Sequence, residues 1–144
     1  MQKKAAIFLA LLLAAGIAFL YHMGCGISMF AKVTANDSTG THSGQDIRKA
    51  ISIARKEFRN LNGCIMTEIH YSEEKTQQLL EEKRVYGYSS IGSDWDDVIV
   101  LDSDFTTSRL FSEPTFNGCT QRGWDWIITH TEAEGWKLAG SGYA

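Results

Sequence analysis

From Ala5 to Leu20 the chain carries no polar side chain, and no charged one appears between Lys4 and Lys32 when His22 is counted as neutral. A helix that is apolar all round has no face to turn to water, so a core position is disfavoured and lipid is its natural solvent. At 1.5 Å per residue this run reaches about 24 Å, slightly less than the roughly 30 Å of a bilayer core. Tyr21, Met23, Ile27 and Phe30 are placed to extend it, and Tyr21 suits the membrane–water boundary. Lys3 and Lys4 precede the run and hold the N-terminus in the cytoplasm, which directs the rest outward. Residues 1–31 therefore read as a membrane anchor or lipoprotein signal.

Three fates are open to this leader. It is retained as a helical anchor, or it is a lipoprotein signal, or it is removed in secretion. "HMGC" places Gly24 before Cys25, as a lipid-modification box does, with His22 where leucine is usual. Cys25 is thus the lipidation candidate. "VTA", Val33 to Ala35, has the small residues of a cleavage site but lies well beyond the apolar run. Each fate leaves the following domain outside the cytoplasm, attached to the cell membrane in the first two.

There, disulfides are permitted. Cys64 and Cys119 are the candidate pair, and a bridge between them would stabilise by about 4 kcal/mol in the chain-entropy model. The alternative is two separate small apolar residues. No CxxC accompanies them, so zinc is not indicated. A formal charge of −3 over 144 residues, without a basic tract, gives no reason to expect nucleic acid.

The polar, Gly/Ser-rich "NDSTGTHSGQ" reads as a flexible tether over residues 32–44, and residues 45–144 as one exported domain. Ser43 is placed to cap a helix, with Asp46 at its third position. Ile47, Ala50, Ile51, Ala54, Phe58 and Leu61 follow at helical spacing, and Gly63 ends it. Arg48, Lys49, Arg55, Lys56 and Arg59 fall on the opposite side. Such a face is either simply solvated or touches anionic lipid or a partner protein.

"CIMTEIHY" alternates as a strand. "SEEKTQQLLEEKRVYG" is a capped helix with a thin apolar stripe, Leu79 and Leu80, which places it on the rim. "DDVIVLDSDF" has continuous apolar residues from Val98 to Leu101 and reads as a central strand. The residues between it and Arg122, around Pro114, are mostly irregular. The final stretch folds as a hairpin about Ala133–Glu134–Gly135. In the expected register Glu132 faces Trp136, His130 faces Leu138, and Trp126 faces Gly142. Trp124, Trp126, Ile128, Trp136 and Leu138 then share one face, with Gly140 and Gly142 leaving room for the indoles. This face reads as core under the amphipathic helix rather than as a stacking platform.

"GCIMTEIHYSEEK", "DDVIVLDSDF" and "WDWIITH…GWKLAGSGY" resemble the signature segments of a bacterial family known only as a domain of unknown function. Its members are small exported, often lipid-anchored proteins of Gram-positive anaerobes. The resemblance covers about residues 45 to 143 and implies location and fold but no activity.

The chemistry-bearing residues are sparse. His70 and His130 are the candidate acid/base histidines, and strand histidines are more often structural. Asp94, Asp96, Asp97, Asp102 and Asp104 lack the spacing and glycine of a calcium loop. No cofactor, metal or catalytic motif is indicated. The expected fold is α+β: one long amphipathic helix on a curved antiparallel sheet, similar to the cystatin-like and nuclear-transport-factor-like cones. The expected function is a cell-surface-anchored binding or interaction module with an unnamed protein or small-ligand partner. Two alternatives stand beside it: a small hydrolase or isomerase using the cone interior, and a membrane-surface partner protein acting through the basic helix face. A cavity of about 300 Å³ beside His130 and an aspartate would favour the enzyme.

Overall fold

The computed structural model describes residues 2–22, 25–34, 40–108, 116 and 118–143. It is an α+β fold of three helices and one five-stranded mixed sheet. In chain order these are α1 (Gln2–His22), β1 (Lys32–Thr34), α2 (Gly44–Phe58), β2 (Cys64–Tyr71), α3 (Glu73–Tyr86), β3 (Asp97–Thr107), β4 (Thr120–Thr131) and β5 (Gly135–Gly142). The strands lie side by side in sequence order, β1-β2-β3-β4-β5.

The expected helix starts where Ser43 places it, but it ends at Phe58 with Arg59 as its C-cap, so Leu61 lies beyond it and Gly63 does not end it. Ser43 caps α2 by accepting the Asp46 amide, and Ile47, Ala50, Ile51, Ala54 and Phe58 are all buried. They close over Met66, Ile69, Ile99, Leu101, Phe105, Trp126 and Ile128 of the sheet. Trp126 is 2% exposed, with its ring 6.2 Å from that of Phe58. Its indole N–H donates to Ser103 Oγ at 2.8 Å, so the one polar atom it buries is partnered. Trp124, Trp136 and Leu138 pack at the edge of the same cluster.

The sheet is covered on both faces. Val98 and Val100 point away from α2 and pack with Leu79 of α3 and with Trp95. This is why the run Val98–Leu101 is unbroken: β3 is central and has no wet side. The helix placed on the rim therefore lies over the sheet. Thr76 of α3 accepts the Val100 amide at 2.9 Å, and Ser72 N–H donates to the Val100 carbonyl at 2.9 Å. Those two bonds continue the ladder where β2 has ended at Tyr71.

The expectation of an antiparallel sheet fails at one edge. β1 runs parallel to β2, with Val33 opposite Ile69. Lys32–Thr34 are therefore part of the sheet, and the assigned tether of residues 32–44 is not one in its described portion. Thr41 and His42 are also fastened to the domain, as described below. Residues 35–39 of that stretch lie outside the described residues.

The hairpin register differs as well. His130 pairs with Trp136 and Ile128 with Leu138, then a bulge shifts the pairing so that Ile127 meets Gly140 and Trp126 meets Ser141. Near the turn the shift from expectation is two residues, which preserves the faces; a shift of one would not. Nothing lies within 4 Å of a Cβ built on Gly140 or Gly142. The indoles do not lie over these glycines. The Trp124 ring packs instead against Phe105 and Tyr143, with centroids 5.7 and 5.1 Å away.

Before β1 the chain already belongs to the domain. Gly26 N–H donates to the Arg59 carbonyl at 3.0 Å. Ile27 bridges Ile65 in parallel, with bonds to the Cys64 carbonyl and from the Met66 amide of 2.9 and 2.8 Å. Ile27 is thus committed to the sheet and does not extend the apolar helix. A Cβ on Gly26 would lie 1.8 Å from the Phe58 carbonyl oxygen, so only glycine fits there without a backbone shift. Gly26→Ala is expected to cost about 1–3 kcal/mol, the scale of overpacking. Phe58→Ala should cost about 3–5 kcal/mol through cavity formation. Denaturant unfolding of both variants checks these values, and a Gly26→Ala variant as stable as wild type would contradict the close approach.

Candidate functional site

The largest described groove, about 710 Å³, runs between α2 and the segment that leads into β1. One wall is the outer side of α2, where Arg48, Ser52, Arg55, Lys56 and Arg59 recur at helical spacing; the other is Ser28, Met29 and Val33, with Ile51 between. Among the described residues that line it there is no carboxylate. Four of the five basic residues singled out in the sequence meet here. Lys49 does not: it lies one position round the helix and pairs with Asp46 at 3.3 Å.

Arg55 sets the width of the groove. Its guanidinium donates to the Ser28 carbonyl at 2.5 Å and to Ser28 Oγ at 3.4 Å, tying the helix to the turn in which Ala31 N–H bonds the Ser28 carbonyl. That turn carries Met29 and Phe30 outward, 71% and 70% exposed. Beside it a second, apolar groove of about 370 Å³ is lined by Ala14, Ile17 and Ala18 of α1 and by Ile27, Phe30 and Ile65. The arrangement is a concave cationic surface next to an exposed apolar tip. Concentrated like charge of this kind recruits anions, and guanidinium groups bind phosphate or carboxylate in a bidentate fashion.

The histidines are elsewhere. His130 lies against Trp136, ring centroids 5.0 Å apart, and His70 sits opposite Asp102 on β2. Neither lines the cationic groove, the apolar groove beside it, or the clefts at Lys75 and at Ser141. Among the described residues the His–Asp pair in contact is His42 with Asp97, and His42 lies in the stretch expected as the tether. Its Nε2 is 2.8 Å from Asp97 Oδ1 and its Nδ1 is 3.1 Å from the Tyr71 hydroxyl. The side chain is only 3% exposed, with the Trp136 ring 6.1 Å away. A histidine immediately before an N-cap is the signal that was available.

Next to this knot, Glu73 holds the chain that leads into α2. It accepts the Thr41 hydroxyl at 2.8 Å, the Thr41 amide at 3.3 Å and Gln77 Nε2 at 2.9 Å. Burial opposes its ionisation, but the bonds from Gln77, Thr41 and Tyr71 outweigh burial and lower its pKa from 4.5 to about 2. Burial first, and the bond to Glu73 second, push the Tyr71 phenol well above its usual value.

The aspartates are dispersed in their roles. Asp96 accepts the Glu132 amide at 2.9 Å and Asp104 the Gly123 amide at 3.0 Å. Asp102 and the buried Asp125 hold Lys75 of α3 at 3.1 and 2.6 Å. Among the described residues no group of three or more His, Cys, Asp or Glu is placed to hold a metal.

Cys64 and Cys119 stand on opposite sides of one residue. Cys64 pairs with Thr107 across β2 and β3, and Thr107 N–H donates to the Cys119 carbonyl at 3.2 Å. Two strand spacings separate them, roughly 10 Å, beyond the ~7 Å that a disulfide spans between Cα atoms. With β3 between them the expected bridge is not made. Cys25 is exposed, directly before the docked Gly26.

Comparison with known families, with curated proteins and with solved structures finds no match. The site is therefore read from its own geometry.

Because the folded Glu73 pKa lies below 4.5, its contribution to stability is complete above about pH 4.5 and is lost as pH falls towards about 2. Glu73→Gln should lower stability by about 1 kcal/mol at neutral pH, the scale of such partly exposed bonds. It should also flatten the acid limb of the stability curve. Urea unfolding from pH 5 to 2 measures both; an unchanged slope would contradict the assignment.

Proposed function

We propose that this chain is a membrane-attached, extracytoplasmic binding module whose ligand face is the cationic groove between α2 and Ser28–Val33. The observation that carries this reading is the meeting of Arg48, Arg55, Lys56 and Arg59 along one wall of a single concavity. It lies beside the point where the chain leaves α1. Among the described residues no helix is long and apolar enough to cross a membrane. The proposal for attachment rests on the apolar run from Ala5 to Leu20, exposed throughout, and on Lys3 and Lys4 ahead of it.

The way the domain begins bears on the three fates of the leader. Cleavage after Ala35 would remove β1 and the docked Gly26–Ile27, so secretion by that route costs the domain an edge strand. A retained α1 and a lipid on Cys25 both keep these contacts. Either attachment joins the docked Gly26 within a few residues of sequence. A helix packed on a five-stranded sheet whose strands lie in sequence order is similar to a cystatin-like arrangement, here with α3 between β2 and β3 and a parallel edge strand, an analogy that carries no activity. The enzyme alternative gains nothing from His70 or His130, which line none of the grooves, and Trp126 is sealed by Phe58.

Alkaline carbonate washing of membranes from cells making the full chain tests the attachment. The chain is expected to stay in the pellet with a mass beginning at Met1, or at Cys25 with added acyl groups. A soluble product beginning at Asn36 would contradict the reading.

A further inference from the structure

We propose that the cationic groove holds the phosphate of an anionic phospholipid from the same leaflet that the attachment enters, while Met29 and Phe30 dip into that leaflet. This rests on the reading of the groove as the ligand face and of the leader as the membrane attachment.

Three observations select a lipid over a free anion. The first is the character of the two walls. The α2 wall carries three guanidiniums, one ammonium and the Ser52 hydroxyl, whereas the facing wall presents Met29 and Val33 and the base presents Ile51. A small inorganic anion uses only the first set. An amphiphile with a phosphate head and a hydrocarbon body uses both.

The second is size. At about 710 Å³ the groove is in the range of small-molecule sites, roughly 300–1,000 Å³, and Met29 of the exposed turn is part of its lining. Two large apolar side chains at the tip of one turn, each more than two-thirds exposed, leave most of their surface uncovered by the described fold. A bilayer alongside would cover it.

The third is position. Gly26, bonded to the Arg59 carbonyl, is the second residue of the described domain, and Arg59 itself lines the groove. The attachment point and the cationic wall are thus held together by the backbone. The formal charge of the whole chain is −3, so this cationic concentration is local. A net-acidic domain that approached an anionic bilayer at random would be repelled; one that presents this wall is attracted.

Each basic residue close to an anionic surface changes the binding equilibrium by about fivefold. The docking is therefore expected to depend on the anionic lipid fraction and to be screened by salt.

The test uses the full chain in lipid nanodiscs, followed by backbone amide NMR. Discs of phosphatidylcholine alone are compared with discs containing phosphatidylglycerol, and with phosphatidylcholine discs supplied with millimolar inorganic phosphate or an acidic peptide. Phosphatidylglycerol is expected to shift the amides of Ser28, Met29, Ser52, Arg55 and Arg59, reversibly with salt. Lys56→Gln combined with Arg59→Gln should weaken that response about 30-fold, with unchanged Trp126 indole and Leu101 amide signals as the check on folding. Lys49→Gln, outside the groove, should leave it nearly intact. Equal spectra in neutral and anionic discs would overturn the lipid assignment. So would full reproduction of the shifts by inorganic phosphate or by the acidic peptide, though either of those outcomes leaves the ligand face itself standing. A silent groove in every arm would overturn both readings.

Discussion

The structure depends on a backbone contact: Gly26 lies so close to the end of α2 that its amide meets the Arg59 carbonyl and no side chain fits at its Cα. That contact fixes where the chain enters the domain. From it follow the parallel bridge of Ile27 to β2, the turn that displays Met29 and Phe30, and β1 at the sheet edge. A hydrogen bond of this kind has a modest net value, about 1 kcal/mol. Its weight comes from the geometry it enforces, since every later residue up to Thr34 is placed relative to α2 by it.

The same contact builds the groove. α2 has two jobs on two sides. Its apolar side covers Trp126, Phe105 and Leu101, and its basic side becomes concave only because Ser28–Val33 runs alongside. Arg55 joins the two walls through Ser28 and contributes charge as well. The sheet's other face, filled by α3, Trp95 and the Lys75–Asp125 pair, leaves α2 free of any further structural demand. Two of the histidines are absorbed into packing. His42 with Asp97 and Tyr71 closes the N-terminal end of α2, and His130 lies on Trp136.

Much of the domain was legible because its signals are local. Ser43 and Asp46 announce the start of α2, the spacing from Ile47 to Phe58 announces its buried side, and the unbroken Val98–Leu101 run announces a strand buried on both faces. Gly135, at φ +68, marks the hairpin. The features that were missed are those whose cause lies far away in sequence. β1 has three residues and a partner more than thirty positions on, so no periodicity reveals it. Gly26 reads as part of a leader because the atom that excludes a side chain belongs to Phe58. The bulge in the hairpin has no local signal, and the position of His42 before an N-cap does not reveal its partner, Asp97, fifty-five positions on. The basic residues were recognised as a face, but their concavity depends on the Ser28 turn, which the sequence reading had assigned to the membrane segment.

The central claim is that the chain after Cys25 is structural and holds the groove beside the proposed point of membrane attachment. Amide hydrogen exchange of the full chain, read at Gly26 and Ile27, tests this most directly. The account predicts that both amides exchange only with opening of the domain, at rates like those of Met66 and Leu101. Exchange at the rate of an unstructured peptide at those two positions, with Met66 and Leu101 still protected, would contradict it.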